Sequence, residues 1–222
     1  IASSLVGSEM CIRDRITEDG PSEAAILESS WGLARYARSV QESGLVPIIE
    51  PEVLMDGCHH YDRTAEVQER IIQETYFACE KLGVYLEGTL LKPSMTCCGA
   101  ECPDKVTPSE VACKTMDVML KSVPEKVAGI VFLSGGLSEE AASIYLNEMN
   151  NNSTNYPWNV SFSYGRALQH SCLKAWAGGN ILAGQEALIA RAQANSEANR
   201  GIYVPNSQPS SDEKLYVAGY TY

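Results

Sequence analysis

From residue 24 onward, apolar and polar positions alternate between two spacings. Ile26, Leu27, Leu33, Tyr36, Ala37 and Val40 recur at helical intervals and predict a helix over 24–43, stopped by Gly44. Residues 46–52 (VPIIEPE) then read as a short buried strand. A second amphipathic helix is predicted over 62–82, and the apolar, β-prone run 84–92 is a second strand. Pro93 has no N–H to give to a ladder, so that strand stops at Lys92. Thr107-Pro108-Ser109-Glu110 has the form of a helix start, with an N-cap threonine, proline at N1 and glutamate at N3, and this helix runs to about 123. Residues 129–134 form a third strand, Ser138 caps a helix to 150, and 159–163 is the fourth strand. Helices over 166–176 and 181–198 follow. The Ser-, Pro- and Asn-containing stretch 201–222 reads as a mobile tail.

Helix–strand alternation with continuously apolar strands implies a parallel sheet covered by helices. A doubly wound sheet and a (β/α)8 barrel both fit. No Gly-x-Gly-x-x-Gly turn follows any of the strands, which weighs against dinucleotide binding. Glu50, Glu52, Lys92, Ser134 and Ser163 all fall at strand C-terminal ends, the rim on which barrel active sites are built. Four strands make half a barrel.

Lys92 carries the sharpest chemical signal. Lysine is almost never buried without a use. Desolvation favours the neutral amine, a nucleophile able to form a Schiff base with a carbonyl. The alternative is a strand-end lysine whose head snorkels to water. Glu50 ends the preceding strand, and in a closed barrel its carboxylate shares the rim with Lys92. There it either shuttles protons for carbinolamine dehydration or forms a rim salt bridge. Leu133-Ser134-Gly135-Gly136 after the third strand lets backbone N–H groups approach an anion closely. Ser163-Tyr164-Gly165-Arg166 after the fourth adds a guanidinium at a helix start. Loops after the last two strands of a barrel often hold phosphate. Lys92, Glu50 and this cradle together point to carbonyl chemistry on a phosphorylated substrate.

Composition narrows the field. The 222 residues carry a formal charge of -11, which argues against nucleic acid or an anionic membrane as partner. No apolar run reaches membrane-spanning length, and the short apolar start at 1–6 is not a signal peptide. Eight cysteines scattered over a long apolar chain read as reduced intracellular thiols. Cys97, Cys98 and Cys102 cluster without a second Cys or His pair at zinc spacing, so no metal site is expected there. His59 and His60 read as surface residues. Three histidines in all weigh against a His-rich catalytic metal site.

Several stretches also resemble class I fructose-bisphosphate aldolases: Gly20-Pro21-Ser22, Leu33 to Ala37, Gly44 to Glu52, Glu87 to Pro93, Phe132 to Gly136, Phe162 to Leu168 and Ala194-Asn195-Ser196. Trp31-Gly32, the run Gly99 to Cys102 and the ending Gly219 to Tyr222 look most like plastid-type plant and algal members. The resemblance spans about 16–222. It implies a (β/α)8 barrel, here its C-terminal part, and reversible cleavage of fructose 1,6-bisphosphate to dihydroxyacetone phosphate and glyceraldehyde 3-phosphate without a metal. It implies Lys92 as the Schiff-base lysine and Glu50 as the proton shuttle. Ser134, Gly135, Ser163, Gly165 and Arg166 match the phosphate-binding positions, and Tyr222 the tail tyrosine that assists enamine protonation. A tetramer is implied for the intact parent, in the plastid stroma or cytoplasm.

Residues 1–15 do not resemble the family and read as a foreign leader. By position, another catalytic lysine of the family falls on Glu9, whose charge has the wrong sign. The family's first three strands, with a catalytic aspartate and a further lysine, have no counterpart in this sequence. Cleavage by the chain alone is therefore expected to be very weak. Two other readings compete: a non-catalytic phosphosugar-binding module, which has no need of a buried lysine, and another Schiff-base barrel such as a transaldolase or deoxyribose-phosphate aldolase, which the rim motifs fit less well.

Overall fold

The computed structural model describes residues 7–151 and 155–219. Five strands, β1 (Gly7–Asp14), β2 (Val46–Val53), β3 (Leu90–Leu91), β4 (Gly129–Phe132) and β5 (Asn159–Phe162), form one all-parallel sheet in the order β1-β2-β3-β4-β5. Between and after them lie α1 (Glu23–Glu42), α2 (Tyr61–Lys81), α3 (Pro108–Ser122), α4 (Glu139–Asn151), α5 (Arg166–Trp176) and α6 (Ile181–Ala198). Strand order follows chain order with no reversal, so the sheet has no switch point of the doubly wound kind. Helices adjacent in sequence also pack together, α1 on α2, α2 on α3 and α3 on α4. Both features belong to an arc of a (β/α) barrel.

Local chemistry explains most of the boundaries. Ser22 caps α1 by accepting from the Ala25 N–H, and the helix buries Ile26, Ser30, Leu33, Ala34, Ala37 and Val40 along one stripe. α3 opens with a complete capping box, Thr107 Oγ1 accepting from Glu110 N–H and Glu110 accepting from Thr107 N–H. Ser138 Oγ accepts from Ala141 N–H at the start of α4. The core is continuous across the sheet, with Leu33, Ile49, Ile72, Leu91, Met116, Met119, Ile130, Phe132 and Leu146 packed in one cluster.

Two sequence expectations are corrected. The strand expected over 84–92 shrinks to Leu90–Leu91, because the chain makes a 3-10 turn at Leu86–Gly88 closed by Thr89 Oγ1 donating to Leu86 C=O. Five strands replace the expected four: residues 7–14 pair in parallel with β2 over its whole length, from Gly7 opposite Val46 to Asp14 opposite Val53. The tail makes hydrogen bonds to the body of the chain between Tyr203 and Leu215, as described below.

The outer strands β1 and β5 have no further sheet neighbour among the described residues. The last helix pair is also unusual. α5 buries only Ala167, and α5 and α6 turn Leu173, Trp176, Ile181, Leu182 and Ile189 to solvent. Exposed strand edges beside an apolar surface favour association. At micromolar concentration the chain is expected to elute from size exclusion as a dimer or larger species. A monomer that melts cooperatively would contradict this.

Candidate active site

Sheet register brings the rim residues together. Ile49 lies opposite Leu91, and Leu91 opposite Ile130. The ladder continues past the strand ends, with Lys92 N–H donating to Ile49 C=O (2.8 Å), Leu133 N–H to Pro93 C=O (3.1 Å) and Ser163 N–H to Phe132 C=O (2.9 Å). Glu50 and Lys92, each one residue beyond a paired position, therefore emerge side by side. Lys92 Nζ lies 3.4 Å from Glu50 Oε2, with the two side chains 12% and 7% exposed. An amine and a carboxylate this close and this dry can exchange a proton without bulk water, which carbinolamine chemistry requires.

The pair opens onto a cavity of about 710 Å³. Its wall includes Glu52, Ser134, Gly135, Ser163, Gly165 and Arg166, so seven of the eight sequence-predicted site residues (Glu50, Lys92, Ser134, Gly135, Ser163, Gly165 and Arg166) share one cavity. The eighth, Tyr222, lies outside the described residues. Gly135 and Gly136 adopt φ of +54° and +98°, backbone that only glycine takes readily. A Cβ on Gly136 would stand 2.9 Å from Tyr216 Cα. Gly165 has φ −89°, and a Cβ there would meet nothing within 4 Å, so its missing side chain leaves cavity volume free. Arg13 from β1 binds Glu52 Oε2 through Nε at 2.6 Å, bringing a cation from the first strand to the same rim.

The tail forms another wall of the cavity. Residues 213–217 line the cavity. Leu215 N–H donates to Gly136 C=O (3.0 Å), and Arg166 Nη1 donates to Leu215 C=O (2.6 Å). Glu213 meets His170 Nε2 at 3.2 Å and Lys174 Nζ at 3.5 Å, and the His170 contact leads in holding its carboxyl below the usual range. Gln169 and His170 also face the cavity. They follow Arg166 by three and four residues, so helical spacing alone could have found them.

Farther back, two buried carboxylates at the start of α4 anchor the tail. Glu140 accepts from Tyr203 Oη, Asn206 N–H and Ser210 Oγ. Glu139 accepts from Ser211 N–H and from Ser171 N–H and Oγ. The fully buried Arg191 donates to Glu139 C=O (2.9 Å), Ser143 Oγ (2.5 Å) and Pro209 C=O (3.3 Å). Burial works to raise the Glu140 pKa, but the hydrogen bonds from Ser210, Asn206 and Tyr203 and the Arg191 charge outweigh it and leave the pKa lowered.

One of the two adjacent histidines differs from expectation. His60 caps α2, Nδ1 accepting from Asp62 N–H, but His59 is half-buried rather than a surface residue. Its Nε2 is enclosed without a hydrogen-bond partner, and burial followed by the Arg63 charge lowers its pKa. Among the described residues, no three His, Cys, Asp or Glu side chains are placed to hold a metal ion, and no helix is long and apolar enough to cross a membrane.

The model of the class I fructose-bisphosphate aldolases matches residues 11–222. A chloroplastic aldolase of Arabidopsis thaliana is 50% identical over 92% of this chain and 52% of its own length. Aldolase B of Gallus gallus is 50% identical over 94% of this chain and 58% of its own, so identity does not separate plastid from animal relatives. Other relatives include a cytoplasmic isozyme of Pisum sativum, 48% identical over 94% of this chain. The aldolase of Plasmodium falciparum, solved in a ternary complex with TRAP and a small-molecule inhibitor, superposes with a TM-score of 0.87 at 42% identity, over 89% of this chain and 58% of that one. The chain thus spans about half the length of the relatives it matches, and its sheet is the C-terminal part of their barrel. On fold and sequence alike, the chain belongs to the class I fructose-bisphosphate aldolases.

Proposed function

We propose that this chain carries the Schiff-base half of a fructose-bisphosphate aldolase site. The observation that supports it most is the Lys92 Nζ–Glu50 Oε2 contact of 3.4 Å, on the wall of a cavity that also holds Ser134, Gly135, Ser163, Gly165 and Arg166. Lys92, as the neutral amine, adds to the ketone carbon of fructose 1,6-bisphosphate or dihydroxyacetone phosphate. Glu50 delivers the proton that lets the carbinolamine hydroxyl leave as water. The resulting iminium is the electron sink for C3–C4 cleavage, so the reading calls for no metal and no cofactor. The Ser134–Gly135 and Ser163–Arg166 turns hold the phosphate, and Tyr222 assists protonation of the enamine.

The groups that take the C4 hydroxyl proton and orient the other phosphate belong to parts of the family that this chain does not match. The intact parent, a homotetramer in the plastid stroma or cytoplasm, would perform the full reversible cleavage. The chain alone would form the Schiff base and cleave very weakly. Incubation with dihydroxyacetone phosphate, borohydride reduction and peptide mass spectrometry test this. A reduced adduct on Lys92 is the expected result, and its absence from a folded sample overturns the reading.

A further inference from the structure

The tail docks through a single residue onto both arms of the candidate phosphate cradle. Leu215 N–H donates to Gly136 C=O (3.0 Å), in the turn after β4, and Leu215 C=O accepts from Arg166 Nη1 (2.6 Å), at the start of α5. Leu215 is buried, so both contacts are sheltered from water. Arg166, His170 and Lys174 stand four residues apart along α5 and therefore share one face of the helix. The tail engages each of them. Arg166 holds the Leu215 carbonyl, while Glu213 Oε2 lies 3.2 Å from His170 Nε2 and 3.5 Å from Lys174 Nζ. On a chain of formal charge -11 this face is a local site for anionic groups, and the Glu213 carboxylate fills part of it. Glu213, Leu215 and Arg166 all border the cavity of about 710 Å³ onto which Lys92 opens.

Two physical effects set the docked tail against a dianion in the cradle. A phosphate or sulfate offers a guanidinium two charged oxygens for a bidentate contact, where Leu215 offers one neutral carbonyl. Drawing Arg166 away leaves that sheltered carbonyl without its donor, which weakens the tail's hold. The dianion also repels the Glu213 carboxylate across the same cavity. Resting on the assignment of the two turns to phosphate, we propose that the Arg166–His170–Lys174 face of α5 is an anion-binding surface for which the tail and a phosphate-class dianion compete, so that filling the cradle releases residues 213–217 from its wall. Linkage makes the effect reciprocal: the docked tail lowers anion affinity by the same factor by which the anion weakens docking. Glu213 is exposed, so its share is modest, roughly two- to fivefold, the range of an exposed ion pair.

Sodium sulfate added to the full chain tests this, because sulfate keeps its charge across neutral pH. Trypsin cleavage after the exposed Lys214 reads tail docking, and cleavage after the exposed Lys105, ahead of α3, is the internal comparator. Sodium chloride at matched ionic strength separates displacement from screening. Saturating sulfate is expected to raise cleavage at Lys214 relative to Lys105 roughly two- to fivefold over chloride. In titration calorimetry Glu213→Gln should bind sulfate tighter by a similar factor, and sulfate should add less to cleavage of its tail than it does in wild type. Sulfate that protects Lys214, or that binds wild type and Glu213→Gln equally, overturns the competition while leaving the cradle in place. No sulfate binding by either folded chain overturns both the competition and the phosphate role of the two turns.

Discussion

Replacing Lys92 with arginine is expected to abolish the borohydride-trapped adduct with dihydroxyacetone phosphate, with no residual labelling above background. Arginine keeps the positive charge opposite Glu50, so the rim ion pair and the fold should survive. It cannot lose its proton in a protein and therefore cannot add to a carbonyl. The loss would then belong to the chemistry and not to unfolding, and unchanged circular dichroism together with an unchanged melting profile checks that. Glu50→Gln makes a graded companion. It leaves the amine in place and removes the proton donor 3.4 Å away. Trapping should still occur on Lys92, slower by roughly 10²-fold, the usual contribution of a positioned acid or base. If Lys92→Arg is still labelled at the same peptide, another lysine forms the Schiff base and the assignment fails.

The second large effect is on stability. Arg191→Met is expected to destabilise the chain by about 3–5 kcal/mol, because removing one partner of a buried charged cluster strands the others. The side chain is fully buried, and its loss leaves Ser143 Oγ and the Glu139 and Pro209 carbonyls without their donor. For a domain of this size the penalty corresponds to a fall in Tm of roughly 10 °C. Because the same cluster holds the tail, protease cleavage between residues 203 and 215 should rise at temperatures where the rest of the chain is still folded. The effect also carries a pH signature. The folded-state pKa of Glu140 is lowered from its ordinary value of 4.5, so its contribution is fully present above that value and is lost as pH falls through the folded value. Denaturant melts of wild type and variant should therefore differ most above pH 4.5 and converge in more acid solution. A gap that widens on acidification would remove Glu140 from the account.

Much of the rim was legible in the sequence for a simple reason. In a parallel sheet every strand ends at the same face, so polar residues closing apolar runs must converge. Glu50, Lys92, Ser134 and Ser163 obey this rule, and one register line through Ile49, Leu91, Ile130 and Val160 brings it about. What escaped notice depended on distant partners. Glu139 and Glu140 look like ordinary acidic residues opening a helix. Their actual partners, from Ser171 to Ser211, lie 32–72 residues away, and no periodicity marks such a pairing. For the tail, composition measures how little apolar surface a segment can bury and says nothing of the hydrogen bonds that join 203–211 to carboxylates already in the core. Strand β1 mixes charge and apolar residues, as Glu9, Met10, Cys11, Ile12, Arg13 and Asp14, and gives none of the continuous apolar signal of β2. Eight register pairs with β2 and the Arg13–Glu52 bridge are tertiary facts.

The strictly sequential strand order has a consequence for how such a sheet is built. Each strand finds its partner in the strand just before it, one helix upstream, so the sheet can grow by accretion as the chain lengthens, with every addition presenting the next template. Nothing in that order encodes a last strand. A Greek key or a doubly wound sheet limits itself by turning back, but a one-directional parallel arc stops only when it meets its own beginning. Termination is therefore a property of the closed ring and of no single strand. The five-stranded arc carries a complete instruction for adding strands and, within the described residues, none for ceasing to add them.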